Sequence, residues 1–210
     1  MKILVNGALL CKQDFLINNP KYHPHVGWLQ TPRNGLSYKT IQTLPFHTPI
    51  YADNSAFTGF DETLYLRFID RIPTPDTLEW LSVPDIVGDA EATIDLFHSW
   101  QPRLDHLNLA FVAQDGAEDL QLPWDLFVCL FIGGTTDWKL SQAAADLCAE
   151  AKTQAKWLHM GRVNSKKRLR YAYALHCDSV DGTGYSKYSK KYLAPALEYV
   201  YQIHNQLKLF

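Results

Sequence analysis

Cysteine is scarce and scattered in this chain. The four cysteines, Cys11, Cys129, Cys148 and Cys177, never approach Cys-x-x-Cys spacing, which argues against a cysteine-built zinc site and against a disulfide scaffold. Long apolar runs are missing too. No window reaches the length needed to span a bilayer, so no membrane partner is expected. The first apolar run, Met1-Lys2-Ile3-Leu4-Val5, is too short for a secretory signal and no cleavage signal follows it, so a reduced, cytoplasmic setting is expected. Internal repeats and low-complexity segments are absent, which excludes solenoids and extended disordered tails.

Basic residues are nearly missing from the middle of the chain. Residues 53–150 carry 18 acids against 4 bases, Arg67, Arg71, Arg103 and Lys139. Residues 151–191 reverse this, with 10 bases against 2 acids, Asp178 and Asp181. The net charge of −2 conceals the contrast. Two carboxylates inside the most basic stretch suggest a site beside a polyanion. For Lys166, Lys167, Arg168 and Arg170 the plain alternative is a solvated helix face.

What is present is enough apolar sequence for one sizeable core. With 210 residues, 47% of them hydrophobic, a single domain over 1–210 is expected. Short apolar runs at 2–6, 26–30, 50–53, 82–87, 107–113, 126–132, 156–160 and 177–180 read as strands, and Pro84 weakens the fourth. Helical spacing marks 61–71, the segment after Asp89 (Ile94, Phe97, Trp100) and the segment Leu140, Ala144, Leu147, Ala151. It also marks the segment after Ser165 (Leu169, Ala172, Tyr173) and 192–209, with a stripe of Leu193, Leu197, Val200, His204 and Leu207. The region from 7 to 25, rich in Asn, Pro and His, reads as irregular. About eight strands, several followed by a helix, suit a compact single-domain (β/α)₈ TIM-type barrel of the α/β class. A flavodoxin-like doubly wound sheet is the alternative.

The stretch from His159 to Thr183 reads as strand, turn, helix, strand, and it delivers Asp181 to a strand end just before Gly182. In a barrel such an end is where catalytic groups collect, although Asp-Gly is also a common turn pair. The other strand ends offer Asp53, Asp85 or Asp89, Gln114, Gly133-Gly134 and His159. Acids and an amide suit a flat heterocycle with N–H and amino donors, and the glycines let backbone approach it. Taken singly, Gln114-Asp115-Gly116 also reads as a turn, Gly133-Gly134 as a tight loop and Asp89 as a helix cap.

Ala52-Asp53-Asn54-Ser55-Ala56-Phe57 resembles the Asp-Ser-Gly-Gly-Phe segment of the tRNA-guanine transglycosylases. Val112-Ala113-Gln114-Asp115-Gly116 is similar to their Val-Gln-Gly-Gly, and Phe131-Ile132-Gly133-Gly134 to their Gly-Gly base-binding loop. Met160-Gly161 through Asp178-Ser179-Val180-Asp181 resembles their Met-Gly, helix, Asp-x-x-Asp block, whose last Asp is the nucleophile. The order holds over roughly residues 50–185. The zinc-binding Cys-x-Cys-x-x-Cys segment of that family has no counterpart in these 210 residues. The segments 83–90 and 157–165 look more like the DpdA-type relatives, which insert 7-deazaguanine bases into DNA, and the short chain fits a compact, bacteriophage type.

The resemblance implies a pentosyltransferase that exchanges guanine in DNA for a preQ0-type 7-deazaguanine. Asp181 would be the nucleophile and Asp53 the general acid and base. Asp85 (or Asp89), Gln114, Gly133, Gly134, His159 and Met160 would surround the base. Arg162, Lys166, Lys167, Arg168, Lys187, Lys190 and Lys191 would meet phosphates of duplex DNA with a flipped guanosine, or of a single strand, and Tyr185 and Tyr188 would stack. Neither metal nor cofactor is implied. The implied setting is a bacterial or phage-infected cytoplasm, and the alternatives are the same chemistry on tRNA and a non-catalytic nucleic-acid-binding paralogue. A Schiff-base lyase would need a lysine at a strand end. The strand ends carry acids instead, and Lys139 follows a Gly-Gly loop.

Overall fold

The computed structural model describes residues 1–6, 10–34, 38–42 and 44–206. Eight parallel strands close into a barrel in chain order: β1 (Lys2–Val5), β2 (Val26–Gln30), β3 (Ile50–Ala52), β4 (Trp80–Ser82), β5 (Leu109–Ala113), β6 (Cys129–Ile132), β7 (Trp157–Met160) and β8 (Ser179–Asp181). The β1–β8 pairing, with Leu4 opposite Asp181, completes the ring. The barrel replaces the doubly wound alternative, and no helix among the described residues is long and apolar enough to cross a membrane.

Along each strand, side chains alternate between two apolar layers. Leu4, Leu29, Tyr51, Trp80, Ala110, Val112, Cys129 and Phe131 form one cluster, packed with Trp157, which fills the barrel interior. Their neighbours along each strand, among them Ile3, Val5, Trp28, Ala52, Leu81, Phe111, Ile132, Leu158 and Val180, join the larger cluster beneath the helices. Gly27 makes room inside, since a Cβ there would lie 2.6 Å from the Tyr51 ring. Extending the interior parity one step past the strands points Asp53, Gln114, Gly133 and Gly161 at the carboxyl-end rim, where Asp181 ends β8.

The helices cover the outside: α1 (Leu10–Ile17), α2 (Tyr38–Gln42), α3 (Glu62–Ile69), α4 (Ala90–Leu104), α5 (Thr136–Lys139), α6 (Gln142–Thr153), α7 (Lys166–Ala174), α8 (Thr183–Lys187) and α9 (Ala194–Gln206). Side chains cap several of them at the N-terminus. Asp61 accepts from the Leu64 N–H, Asp89 from Ala92, Ser141 from Ala144 and Ser165 from Arg168.

Several sequence expectations are corrected. The stretch read as irregular holds α1 and a 3₁₀ segment, Pro20–His25. The fourth strand is Trp80–Ser82 rather than 82–87, because Pro84 has no N–H for a ladder and the chain leaves the sheet before it. The starts of β5, β6 and β8 move to Leu109, Cys129 and Ser179, and a 3₁₀ turn (Trp124–Leu126) occupies the start of the run at 126–132. Leu140 belongs to the turn between α5 and α6 and is exposed. On α9, Leu197 and Val200 are buried, with Leu193 buried just ahead of it, but His204 is exposed, and Leu207 lies outside the described residues.

Candidate active site at the carboxyl ends of the strands

A cleft of about 430 Å³, counting its open mouth, sits over the barrel interior at the carboxyl ends of the strands. Asp53, Asp85, Gln114, Gly133 and Asp181 line it together, though they are spread over 129 positions of sequence. Asn54, Phe57, Val87, Val112, Phe131 and Arg162 complete much of the wall.

Asp85 is the most elaborately held group. It lies three residues beyond β4 and is buried. Asn54 Nδ2 donates to its Oδ1 at 2.8 Å and Gln114 Nε2 to its Oδ2 at 2.7 Å. The Gly88 N–H donates to Gln114 Oε1 at 2.9 Å, which turns the amide NH₂ toward Asp85. Asn54 is clamped in turn: its N–H donates to Ser82 Oγ, its Nδ2 also to the Val83 carbonyl, and its Oδ1 accepts from the Ala56 N–H. Burial pushes the Asp85 carboxyl up to about 7, with Asp53 adding to the rise and the Asn54 and Gln114 amides opposing it.

Asp181 is pushed up to about 6, first by burial and then by Asp53, against the Arg162 N–H that its Oδ1 accepts at 2.6 Å. Asp53 is raised by burial, opposed by hydrogen bonds that include the Ser55 N–H at 3.0 Å. Neighbouring carboxylates in one cleft thus titrate upward together, which keeps protons available near neutral pH. Such a set can supply one charged nucleophile, one proton donor and one hydrogen-bond acceptor.

Other expected site residues are placed differently. Asp89 does not line the cleft; its carboxylate caps α4, so Asp85 is the acid at this site. Met160 has the outward parity of β7 and packs under the helices. His159 is fully buried below the cleft, 4.4 Å between ring centres from Phe131 and 5.0 Å from Trp80, and burial lowers its pKa to about 3. The N–H groups of Gly133 and Gly134 both donate to the Ala113 carbonyl, so neither is a free donor to a base. Gly133 contributes the absence of a side chain. A Cβ there would lie 2.6 Å from Val112 and 2.7 Å from Gln114 Nε2. Gly134 serves Trp138, whose ring occupies the space of its missing Cβ. Gly133→Ala is therefore expected to displace the Gln114 amide from Asp85 and reshape the cleft, which a structure of the folded variant checks.

Arg162 is tied into the cleft wall through one of its terminal nitrogens. Its guanidinium donates to the carbonyls of Gly133 and Gly134 and stacks over Phe57 at 4.1 Å, walling the cleft mouth. Arg168 leans on the Arg162 carbonyl. Lys166, Lys167, Lys187, Lys190 and Lys191 are exposed on α7, α8 and the turn after α8, the side of the rim nearest Asp181. Tyr188 is 61% exposed, but Tyr185 is buried and cannot stack on a strand. Asp178 is a structural acid, paired with Lys152 at 2.6 Å and accepting from the Leu158 N–H.

Lys139 was not foreseen as buried. Its Nζ donates to the Gly161 carbonyl at 2.8 Å, and burial with the Arg162 charge lowers its pKa to about 7. It does not line the cleft. The paired use of Asn54 and the ring of Phe57 also escaped the sequence reading. Their signal was adjacency to Asp53, the residue that starts the same loop.

No protein-family model and no curated protein sequence matches the chain.

Proposed function

We propose that this barrel is a base-exchange transglycosylase acting on guanosine in DNA, with a 7-deazaguanine as the incoming base. The observation that carries the reading is the Asp85 cradle beside Asp53 and Asp181 in one cleft. An anchored carboxylate accepts from the N1–H and amino group of a guanine-type edge, and the second N–H of Gln114 suits its carbonyl oxygen. Adenine presents no such donor pair. The reaction needs the target nucleotide out of the stack, and the exposed lysines beside Asp181 suit its flanking phosphates.

Asp181 attacks C1′ of the deoxyribose. The C1′–O bond forms as the C1′–N9 bond breaks, and the bonding pair leaves with guanine, which takes a proton from Asp53. The incoming base then returns a proton to Asp53, its ring nitrogen attacks C1′, and Asp181 departs as carboxylate. Raised by burial, Asp53 suits the proton-carrying role.

The pH profile follows from the same groups. Asp181, at about 6, and Asp85, at about 7, both act charged, so activity is expected to fall as pH drops through 7 and then 6. Asp85→Asn is expected to shift the acid limb to lower pH while weakening base binding, read from kcat/KM against pH.

The deciding experiment offers labelled guanine or a 7-deazaguanine to the protein with duplex DNA and tRNA in parallel. Label entering DNA is the expected result. Label entering tRNA alone overturns the substrate, and label in neither, with salt-dependent DNA binding retained, leaves a binding subunit in its place.

A further inference from the structure

His159 fits none of the roles just described. It points into the barrel below the cleft, wholly buried, and its Nε2 has no hydrogen-bond partner. A buried imidazole nitrogen without a partner is costly, and the Asp181 Oδ1 carboxylate oxygen lies 3.9 Å from it.

The other ring nitrogen shows which way the proton points. His159 Nδ1 lies 2.8 Å from Ser179 Oγ, and Trp157 Nε1 lies 2.8 Å from the same oxygen. An indole N–H only donates, so Ser179 accepts from Trp157. Its own hydroxyl proton then has one acceptor within reach, His159 Nδ1. That leaves the neutral ring's proton on Nε2, facing Asp181. The opposite tautomer would strand the serine proton and set a lone pair against the carboxylate.

We propose that His159 is a positioning residue for Asp181. The Trp157–Ser179 relay holds its Nε2–H toward Oδ1, the oxygen already tied to the Arg162 N–H, which leaves Oδ2 to attack. Hydrogen bonds of this kind are often long before substrate tightens the site. The charged and titratable groups facing Asp181 are Asp53 from the β3 loop, Lys139 from α5, Arg162 from the β7 loop and Tyr185 from α8. The first raises the carboxyl, while Lys139 and Arg162 hold it down. None of them explains the unpartnered imidazole nitrogen.

This role rests on Asp181 being the nucleophile, so the test has arms that do not depend on turnover. Histidine ¹⁵N NMR of the whole protein is expected to show His159 neutral with its proton on Nε2. A proton on Nδ1, or a charged ring, overturns the proposal. Carboxyl ¹³C titration is expected to show Asp181 moving to higher pKa in His159→Leu, and an unmoved Asp181 contradicts the role. In single-turnover assays His159→Leu is expected to slow covalent adduct formation about 100-fold with DNA affinity unchanged, and His159→Gln, which keeps an N–H at the same reach, to recover most of it. Equal rates in the two variants contradict positioning. Ser179→Ala, which leaves the imidazole in the barrel, is expected to lose about 10-fold through loss of tautomer control, and covers the case in which the leucine variant does not fold. A wild-type protein that forms no adduct on any nucleic acid refutes the transglycosylase reading, and the two NMR arms still decide whether His159 serves Asp181.

Discussion

Asp181→Asn is expected to abolish the covalent adduct with DNA and to lower base exchange by at least about 10³-fold, while the folded protein persists. An amide has no charge to deliver to C1′, and in the proposed mechanism neither remaining acid replaces it: Asp53 carries the proton and Asp85, held by the Asn54 and Gln114 amides, faces the base. Losing a nucleophile typically costs at least this much. The barrel has little reason to suffer. The Asp181 carboxylate is raised by burial and by Asp53, so its charge is a cost to the folded state, and an amide oxygen can still accept the Arg162 N–H. Removing that cost is expected to leave the melting temperature unchanged or higher. Denaturing gels and thermal melts on the same preparation read both effects.

Asp53→Asn is expected to slow adduct formation about 10²–10⁴-fold, the usual worth of a positioned proton donor. Its effect differs in kind from that of the nucleophile. Adduct still forms, slowly, and once formed it is resolved slowly too, because the same group accepts the incoming base's proton. The signature is a low rate with a persistent intermediate, and it weakens for leaving groups that depart without protonation. A rapid-quench time course separates this from simple loss of binding.

Much of this site was legible because short parallel strands deliver their last inward residue to one rim. Asp53, Gln114, Gly133 and Asp181 each follow or end an apolar run, and they do converge. What the strand-end reading lacked was parity. Met160 and Gly134 sit beside inward residues and therefore face out, toward the helix layer. Asp85 and Asp89 look alike in sequence; only the fold separates them, by converging the Asn54 and Gln114 amides on Asp85 while Asp89 caps α4. Arg162 looked like one more cation in a basic run. Only the fold brings the Gly133 and Gly134 carbonyls within its reach. His159 carried a polar signal inside an apolar strand, and its meaning depends on Ser179 across the β7–β8 pairing. The missed helix α1 holds no Asn, Pro or His itself; those residues crowd the segment just after it, 18–25, and gave the whole stretch its irregular look.

The most direct measurement is the intact mass of the adduct trapped on a guanine-containing oligonucleotide, followed by peptide mapping. Base exchange through Asp181 gives the protein plus the oligonucleotide less one guanine, attached at Asp181. An adduct that retains its guanine, or one mapped to Asp53, Lys139 or any other residue, contradicts the mechanism.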